Sequence, residues 1–549
     1  MKNYYVALAC LITISTHAQV SLLGKIDNSP VRQQQIIETI TASISYQGYD
    51  ETQAFFGQGE YEVFLDNTTG ILDKPIIILD GFDPGDSRDI NGLYNSLAFN
   101  GQNMADILRD EGFDIIVLNA PTYISDGLEI DGGGDYIQRN AMVLVALIDL
   151  LNTEKVGDEP LVVLGPSMGG LIARYGLSYM EQNSLNADTR LYISFDSPHK
   201  GANVPMSLQY LINYLAFQSD DPLAQQAVDQ LLNSAAAKEM LVDHLNAHLL
   251  AGSDFEQDPA LVLPAGAPDF RDPFQAELDA LGFPQNVRNV AIVNGSGLGI
   301  TIGTPGMQVV DTTLDLGNNL TGEVELHFMP LATETIEVTR FDTFFSGFPV
   351  QTFDAMGAAT TATDGVDSAP GGISNISNAL GDGTGNPVIE DFIMALQQDE
   401  FSFIPLLSSL AIENEDNWYA VPDLSNSPFV NSYIPDENEP HVSVSQASAQ
   451  FALDEIRNGS LSTSSVASEN TFKLLKNPVR DVITVGINPL VSVGPIKTQL
   501  FSTEGKLLHT QVFNTNDSQI FLQANIASGI YILRVTDTKA TVSFKVIVE

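Results

Sequence analysis

The sequence predicts an α/β protein built on a mostly parallel sheet, with helical and β-rich insertions, followed by a small all-β sandwich. Three observations predict it. Five short, continuous apolar runs, KPIIILDG (74–81), FDIIVLNAP (113–121), EPLVVLG (159–165), RLYISFD (190–196) and VRNVAIVNG (287–295), have the composition of strands buried on both faces. Helical stretches of crossover length, Asn103 to Glu111, Tyr136 to Asn152 and Leu171 to Gln182, lie between the earlier runs, as a parallel sheet requires. After about residue 470 the pattern changes to short strands separated by turn residues.

Taken in order, residues 1–18 read as a secretory signal. Lys2 precedes an apolar run from Tyr4 to about Ile14, and Thr16-His17-Ala18 offers a small-x-small cleavage site, so the mature chain would begin near Gln19. The single cysteine, Cys10, lies in that segment. Its removal leaves no thiol for a disulfide, a metal site or a nucleophile. No later apolar run approaches the ~18–20 residues of a membrane helix. Residues 19–73 form an N-terminal extension, with a helix expected over Val31 to Ala42 and a strand over Tyr61 to Leu65.

The enlarged domain spans 74–457, with insertions at about 203–286 and 299–400. The first insertion is Ala-, Leu- and Gln-rich and helical in period from about Val204 to Leu250, a stretch that would serve equally as a lid or as ordinary packing helices. The second alternates with period two in GEVELHFMPLA (322–332) and TIEVTRFDTFF (335–345). The Gly-, Ser- and Asn-rich stretch from Gly357 to Gly385 reads as a long ordered loop or a partly disordered one. A linker, NGSLSTSSVASEN (458–470), leads to the sandwich at 471–549, with strands expected at 482–487, 497–502, 519–523, 530–536 and 541–548.

Charge removes several functions. The 549 residues carry 24 Lys plus Arg against 69 Asp plus Glu, a formal charge of −45. Nucleic-acid binding needs clustered cations, and an anionic membrane surface would repel the chain. Only 17% of residues are charged and 44% are hydrophobic, so the chain can bury large cores and is no disordered polyelectrolyte.

The strongest chemical signal is Gly165-Pro166-Ser167-Met168-Gly169-Gly170, directly after PLVVL and directly before LIARYGLSYM. A serine at a sharp strand-to-helix turn is exposed on a strained backbone, and glycines two residues before and after it let the strand and helix approach. Ser167 is therefore the candidate nucleophile.

These residues resemble the α/β-hydrolase superfamily, and within it lipases and esterases related to eukaryotic GPI inositol-deacylases. The resemblance covers about 74–457. Besides the elbow, it rests on LDGFDPG (79–85), which is similar to the oxyanion-loop strand end, and on FDSPHKGAN (195–203), which looks like the lipase TPHxG segment. Asp80 stands where the family has a histidine before Gly81. The resemblance implies an oxyanion hole from the backbone N–H groups of Met168 and Phe82, and no cofactor or metal.

Seven histidines limit the choice of base. His17 lies in the signal, His509 in the terminal segment, His244 and His248 in the helical insertion and His327 in an alternating strand, which leaves His199 and His441. The family order of serine, acid and late histidine points to His441, in the loop NEPHVS, with His199 the structural histidine of the TPHxG-like loop. Two places offer an acid. Asp196, at the end of its strand, is the first candidate; Asp367 or Asp364, in ATDGVDSAPGG (362–372), is similar to the acid loop of bacterial lipases.

Other patterns are weaker. Asp80, Asp83, Asp86 and Asp89 recur at every third residue and read as a solvated acidic loop before they read as a Ca²⁺ site. GGGD (132–135) lacks the lysine and hydroxyl of a phosphate loop. The last segment, through FKLLKNPVRDVITV (472–485), TEGKLL (503–508), SGIYILRVTD (528–537) and KVIV (545–548), resembles the type IX secretion sorting domain of Bacteroidetes, whose machinery it would engage as a partner.

The combined expectation is a secreted or cell-surface serine esterase or lipase acting on an ester or lipid-like small molecule. An acyltransferase on the same triad and a catalytically silent surface-binding protein are the alternatives.

Overall fold

The computed structural model describes residues 36–218, 222–379 and 386–458, and in the tail 472–474, 479–480, 482–487, 495–502, 506–513, 519–523, 527–536 and 541–548. The expected signal (1–18) and nearly all of the linker lie outside the described residues. The chain divides into two compact units, Met1–Gly459 and Ser460–Glu549.

The first unit is built on one eight-stranded sheet. Its strands are β1 (Glu38–Thr41), β2 (Gln58–Phe64), β3 (Pro75–Leu79), β4 (Asp114–Asn119), β5 (Leu161–Pro166), β6 (Thr189–Phe195), β7 (Arg288–Ile292) and β8 (Asn431–Tyr433). Their spatial order is β1-β2-β4-β3-β5-β6-β7-β8. Only β2 runs against the others, antiparallel to β1 on one side and to β4 on the other. The six from β4 to β8 are parallel, the α/β-hydrolase arrangement.

Alternation along each strand sends side chains to two cores. Ile77, Leu79, Ile116, Leu118, Leu161 and Val163 face one layer, against Leu144 and Ile148 of α2 (Ile137–Glu154) and Leu171 of α3 (Met168–Gln182). Ile76, Ile78, Ile115, Val117, Val162 and Leu164 face the other, with Leu108 of α1 (Met104–Asp110) and Leu453 and Ile456 of the final helix Gln446–Asn458. Burial on both faces is why these strands read as unbroken apolar runs.

Two expectations fail here. Residues 38–41, placed in a helix by sequence, form β1 along β2, where β-branched Thr39, Ile40 and Thr41 suit an extended backbone. The stretch expected to be a long loop contains strand Gly371–Asn375, paired with Glu400–Pro405, and a 3-10 turn at Val366–Ser368; residues 380–385 lie outside the described residues.

Both insertions leave the sheet at its carboxyl ends. Between β6 and β7 lie helices including Met206–Gln218 and Arg271–Leu281. Between β7 and β8 stands a four-stranded antiparallel meander, Gln308–Gly317, Leu320–His327, Thr335–Phe345 and Phe348–Ala358. Tyr214 of the first insertion packs on Phe341 and Phe353 of the second, the latter ring stacked at 4.4 Å.

The second unit is all-β. Phe472–Leu474, Val482–Ile487 and Gln519–Gln523 form one antiparallel sheet. Leu507–Phe513, Ile496–Ser502, Gly529–Thr536 and Thr541–Val548 form the other. Ile483 and Val485 of the first sheet share a core with Leu500, Leu533, Val535 and Val546 of the second, which makes it a sandwich.

Candidate active site

The turn from β5 into α3 takes one residue. Ser167 holds it with φ 53° and ψ −129°, a region that costs a residue with a side chain about 1–3 kcal/mol. Its own N–H donates to the Phe195 carbonyl of β6 at 2.8 Å. The glycines around it have no room for a side chain. A Cβ at Gly165 would lie 2.4 Å from the Gly169 carbonyl oxygen, one at Gly169 2.6 Å from that of Asp80, and one at Gly170 1.9 Å from Ser197 Oγ. The spacing seen in sequence is thus a packing requirement among β5, α3 and the end of β3.

The loop after β3 faces the serine. A Cβ at Gly81 would stand 3.2 Å from Ser167 Cβ, and Phe82 follows on the wall of the same pocket. Met168 opens α3, so its N–H belongs to the first turn, whose donors have no intrahelical acceptor. Asp80 is buried, accepting from Gly81 N at 2.7 Å and from Arg88 Nη2 at 2.5 Å; burial pushes its carboxyl up to about 6 against the pull of Arg88. The acidic repeat is therefore not a solvated loop at its first two members. Asp83, also buried, accepts from Ser87 Oγ and Arg88 N, Asp86 from Asn119 Nδ2, and Asp89 caps the short helix Ile90–Asn95 by accepting from Gly92 N. Each of the four carboxylates has its own protein donors.

His441 comes from the loop between β8 and the final helix. Its N–H donates to Ile373 O at 2.9 Å, while Ile373 N donates to Glu439 O at 3.0 Å, so Ile373 of strand Gly371–Asn375 holds the histidine loop on either side of Pro440. The next residue, Val442, has φ 51°. Phe403 presses its ring against the imidazole at 4.9 Å and 83°.

Asp196 follows β6 with φ 46° and is fully buried. Oδ1 accepts from Asn294 N at 3.2 Å, and Oδ2 lies 2.7 Å from His441 Nδ1. His441 Nε2 lies 2.9 Å from Ser167 Oγ. Serine, histidine and aspartate therefore form one continuous hydrogen-bonded line.

The other sequence candidates stand elsewhere. Asp367 is buried against Asn203 Nδ2 (3.0 Å) and Met329 N (2.7 Å), and burial pushes it up to about 6. Asp364 accepts from Ala332 N. His199, packed between Phe283 and Phe429, bonds Ser194 Oγ at 2.8 Å, and burial holds it well below the usual histidine range, so it stays neutral. Two positioning residues have no signal in the sequence. Asn294, just past β7, donates to Glu439 Oε2 and Ser443 O across the histidine loop, and a Cβ at Gly372 would meet Asp196 Oδ2 at 2.0 Å.

A second acidic group brings carboxylate oxygens of Asp66, Asp73 and Asp114 within 4.8 Å of one another. Asp66 takes N–H and hydroxyl groups of Thr68 and Thr69, and Asp114 takes Asp66 N, Asp73 N and Lys74 N. Those bonds make it a turn lock.

Residues 476–549 match the family of secretion system C-terminal sorting domains. The chain carries an export address. It is directed to the cell surface or the medium, and among its described residues no helix is long and apolar enough to cross a membrane. No curated protein matches the chain. Among solved structures it is similar to a serine hydrolase without a lid from Xanthomonas campestris, at 13% identity over 31% of this chain and 65% of that one, TM-score 0.21. The cell-wall-degrading esterase LipA from Xanthomonas oryzae aligns at 11% identity over 47% and 74%, TM-score 0.26, and Est1E from Butyrivibrio proteoclasticus at 12% over 43% and 73%, TM-score 0.22. The order and direction of the strands, and not these likenesses, carry the fold.

Proposed function

We propose that the exported chain is a serine hydrolase of carboxylic esters. The observation that carries the reading is the line Ser167 Oγ, His441 Nε2, His441 Nδ1, Asp196 Oδ2, with steps of 2.9 and 2.7 Å, at the foot of a pocket lined by Gly81, Phe82 and Phe403. His441 Nε2 takes the hydroxyl proton as Ser167 Oγ attacks the ester carbonyl. The developing oxyanion is held by the N–H groups of Met168 and Phe82. Asp196, buried and acceptor-only, fixes the proton on His441 Nδ1 and stabilises the imidazolium.

The imidazolium then gives its proton to the departing alcohol. Water, deprotonated by the same His441, attacks the acyl-enzyme, and Ser167 regains its proton as the acid leaves. The steps balance without cofactor or metal. The tail engages type IX secretion machinery by this reading, and the enzyme works outside the cell.

The test is hydrolysis of nitrophenyl acetate by the full chain and by Ser167→Ala. The reading expects a loss of about ten-thousand-fold or more in kcat in a variant that stays folded. Equal rates in the two proteins would overturn it.

A further inference from the structure

The pocket above Ser167 is small and mostly apolar. Leu93 and Leu97 line it, are each 3% exposed and belong to the same buried core as Ile90, Phe99 and Met104, so that wall is part of the close-packed interior. Phe82, Pro166, Phe195, Phe403 and Val442 complete the apolar lining; Arg88, paired with Asp80, is its one charged member besides the catalytic histidine, and Ser96, exposed, stands at the mouth. None of the described residues of the helical insertion lines it.

The cavity volume of the pocket is ≈ 50 Å³. One water needs about 10–15 Å³ of such volume, so the space takes about three to five non-hydrogen atoms. An ester brings two limbs to the serine. The alcohol leaves when the acyl-enzyme forms, whereas the acyl limb stays bound until water has attacked, and a pocket walled by buried side chains suits the limb that stays.

Resting on the ester-hydrolase reading above, we infer that this pocket holds the acyl limb, that the chain selects acyl groups of about two to four carbons, and that Leu93 and Leu97 set the limit. Long lipid acyl chains do not fit between the serine and that wall.

The experiment is kcat/KM of the full chain on nitrophenyl esters from acetate to palmitate. The optimum falls between acetate and butyrate, with a drop of about ten-fold or more for a methylene the wall excludes. Leu97→Ala moves the optimum to longer esters. Should that variant not fold, Ser96→Trp at the exposed mouth lowers the butyrate rate relative to acetate. An optimum at octanoate or beyond in the unaltered chain, or a profile that both variants leave in place, overturns the inference while leaving the hydrolase reading intact. No hydrolysis of any ester, together with no fluorophosphonate label on Ser167, overturns both.

Discussion

Ser167 and the loop facing it are held by backbone packed into the sheet, whereas Asp196 and His441 are held by hydrogen bonds among loops from four distant stretches of chain. On the serine side, Gly165, Gly169, Gly170 and Gly81 let β5, α3 and the end of β3 touch. On the other side Asp196, Asn294, Ile373 and His441 come together across stretches of chain separated by two long insertions. The first half is a local motif with a rigid support. The second is a tertiary assembly whose parts carry no common sequence mark, and the two halves should fail differently.

The largest expected effect separates the two acids that sequence left open. Asp196→Asn should cost about a thousand- to ten-thousand-fold in kcat by disturbing the imidazole tautomer. Asp367→Asn, whose partners are Asn203 and Met329, should leave kcat within about three-fold of the parent. If the two effects were reversed, the histidine side of the site would be wired differently from the line described here.

Glycine substitutions sharpen the contrast. Gly170→Ala drives a methyl into Ser197 Oγ between sheet and helix, so it should lower the melting temperature along with the rate. Gly372→Ala instead meets Asp196 Oδ2. It should cost about ten- to a hundred-fold in kcat with a smaller change in stability, because it displaces the acid by a fraction of its hydrogen-bond length. Thermal melts and kcat measured on both variants check this, and equal loss of stability in the two would erase the distinction.

A smaller effect lies in pH. The Asp367 carboxyl is raised by burial from 3.8 to about 6, so the folded chain holds that proton more tightly than the unfolded chain does. Its contribution to stability is therefore present at low pH and is lost as pH rises from about 4 through 6. Asp367→Asn removes the ionisation, so its stability relative to the parent should improve by up to about 3 kcal/mol between pH 4 and pH 7. Urea melts across that range read the difference, and a pH-independent difference would contradict the assignment.

This division also explains what the sequence disclosed. The parallel strands and the elbow were legible because double burial and close backbone approach leave marks within a few residues, as in PLVVLGPSMGG. β8 went unread because Asn431–Tyr433 is three residues long and carries no period. Leu507–Phe513 escaped because it is an edge strand exposed on nearly every residue and lacks alternation. Asp196 and Asp367 both sit at turns in similar polar contexts, and only the contact of His441 with one of them distinguishes the pair. Asn294 and Gly372 act wholly through such contacts.

The central claim is that His441 and Asp196 activate Ser167, and covalent labelling tests it most directly. The full chain, treated with a fluorophosphonate and digested, should carry the label on Ser167 alone. Labelling should vanish in Ser167→Ala, slow by orders of magnitude in His441→Ala, and proceed at the parent rate in Asp367→Asn. A folded chain that takes no label, or takes it on another serine, would contradict the account.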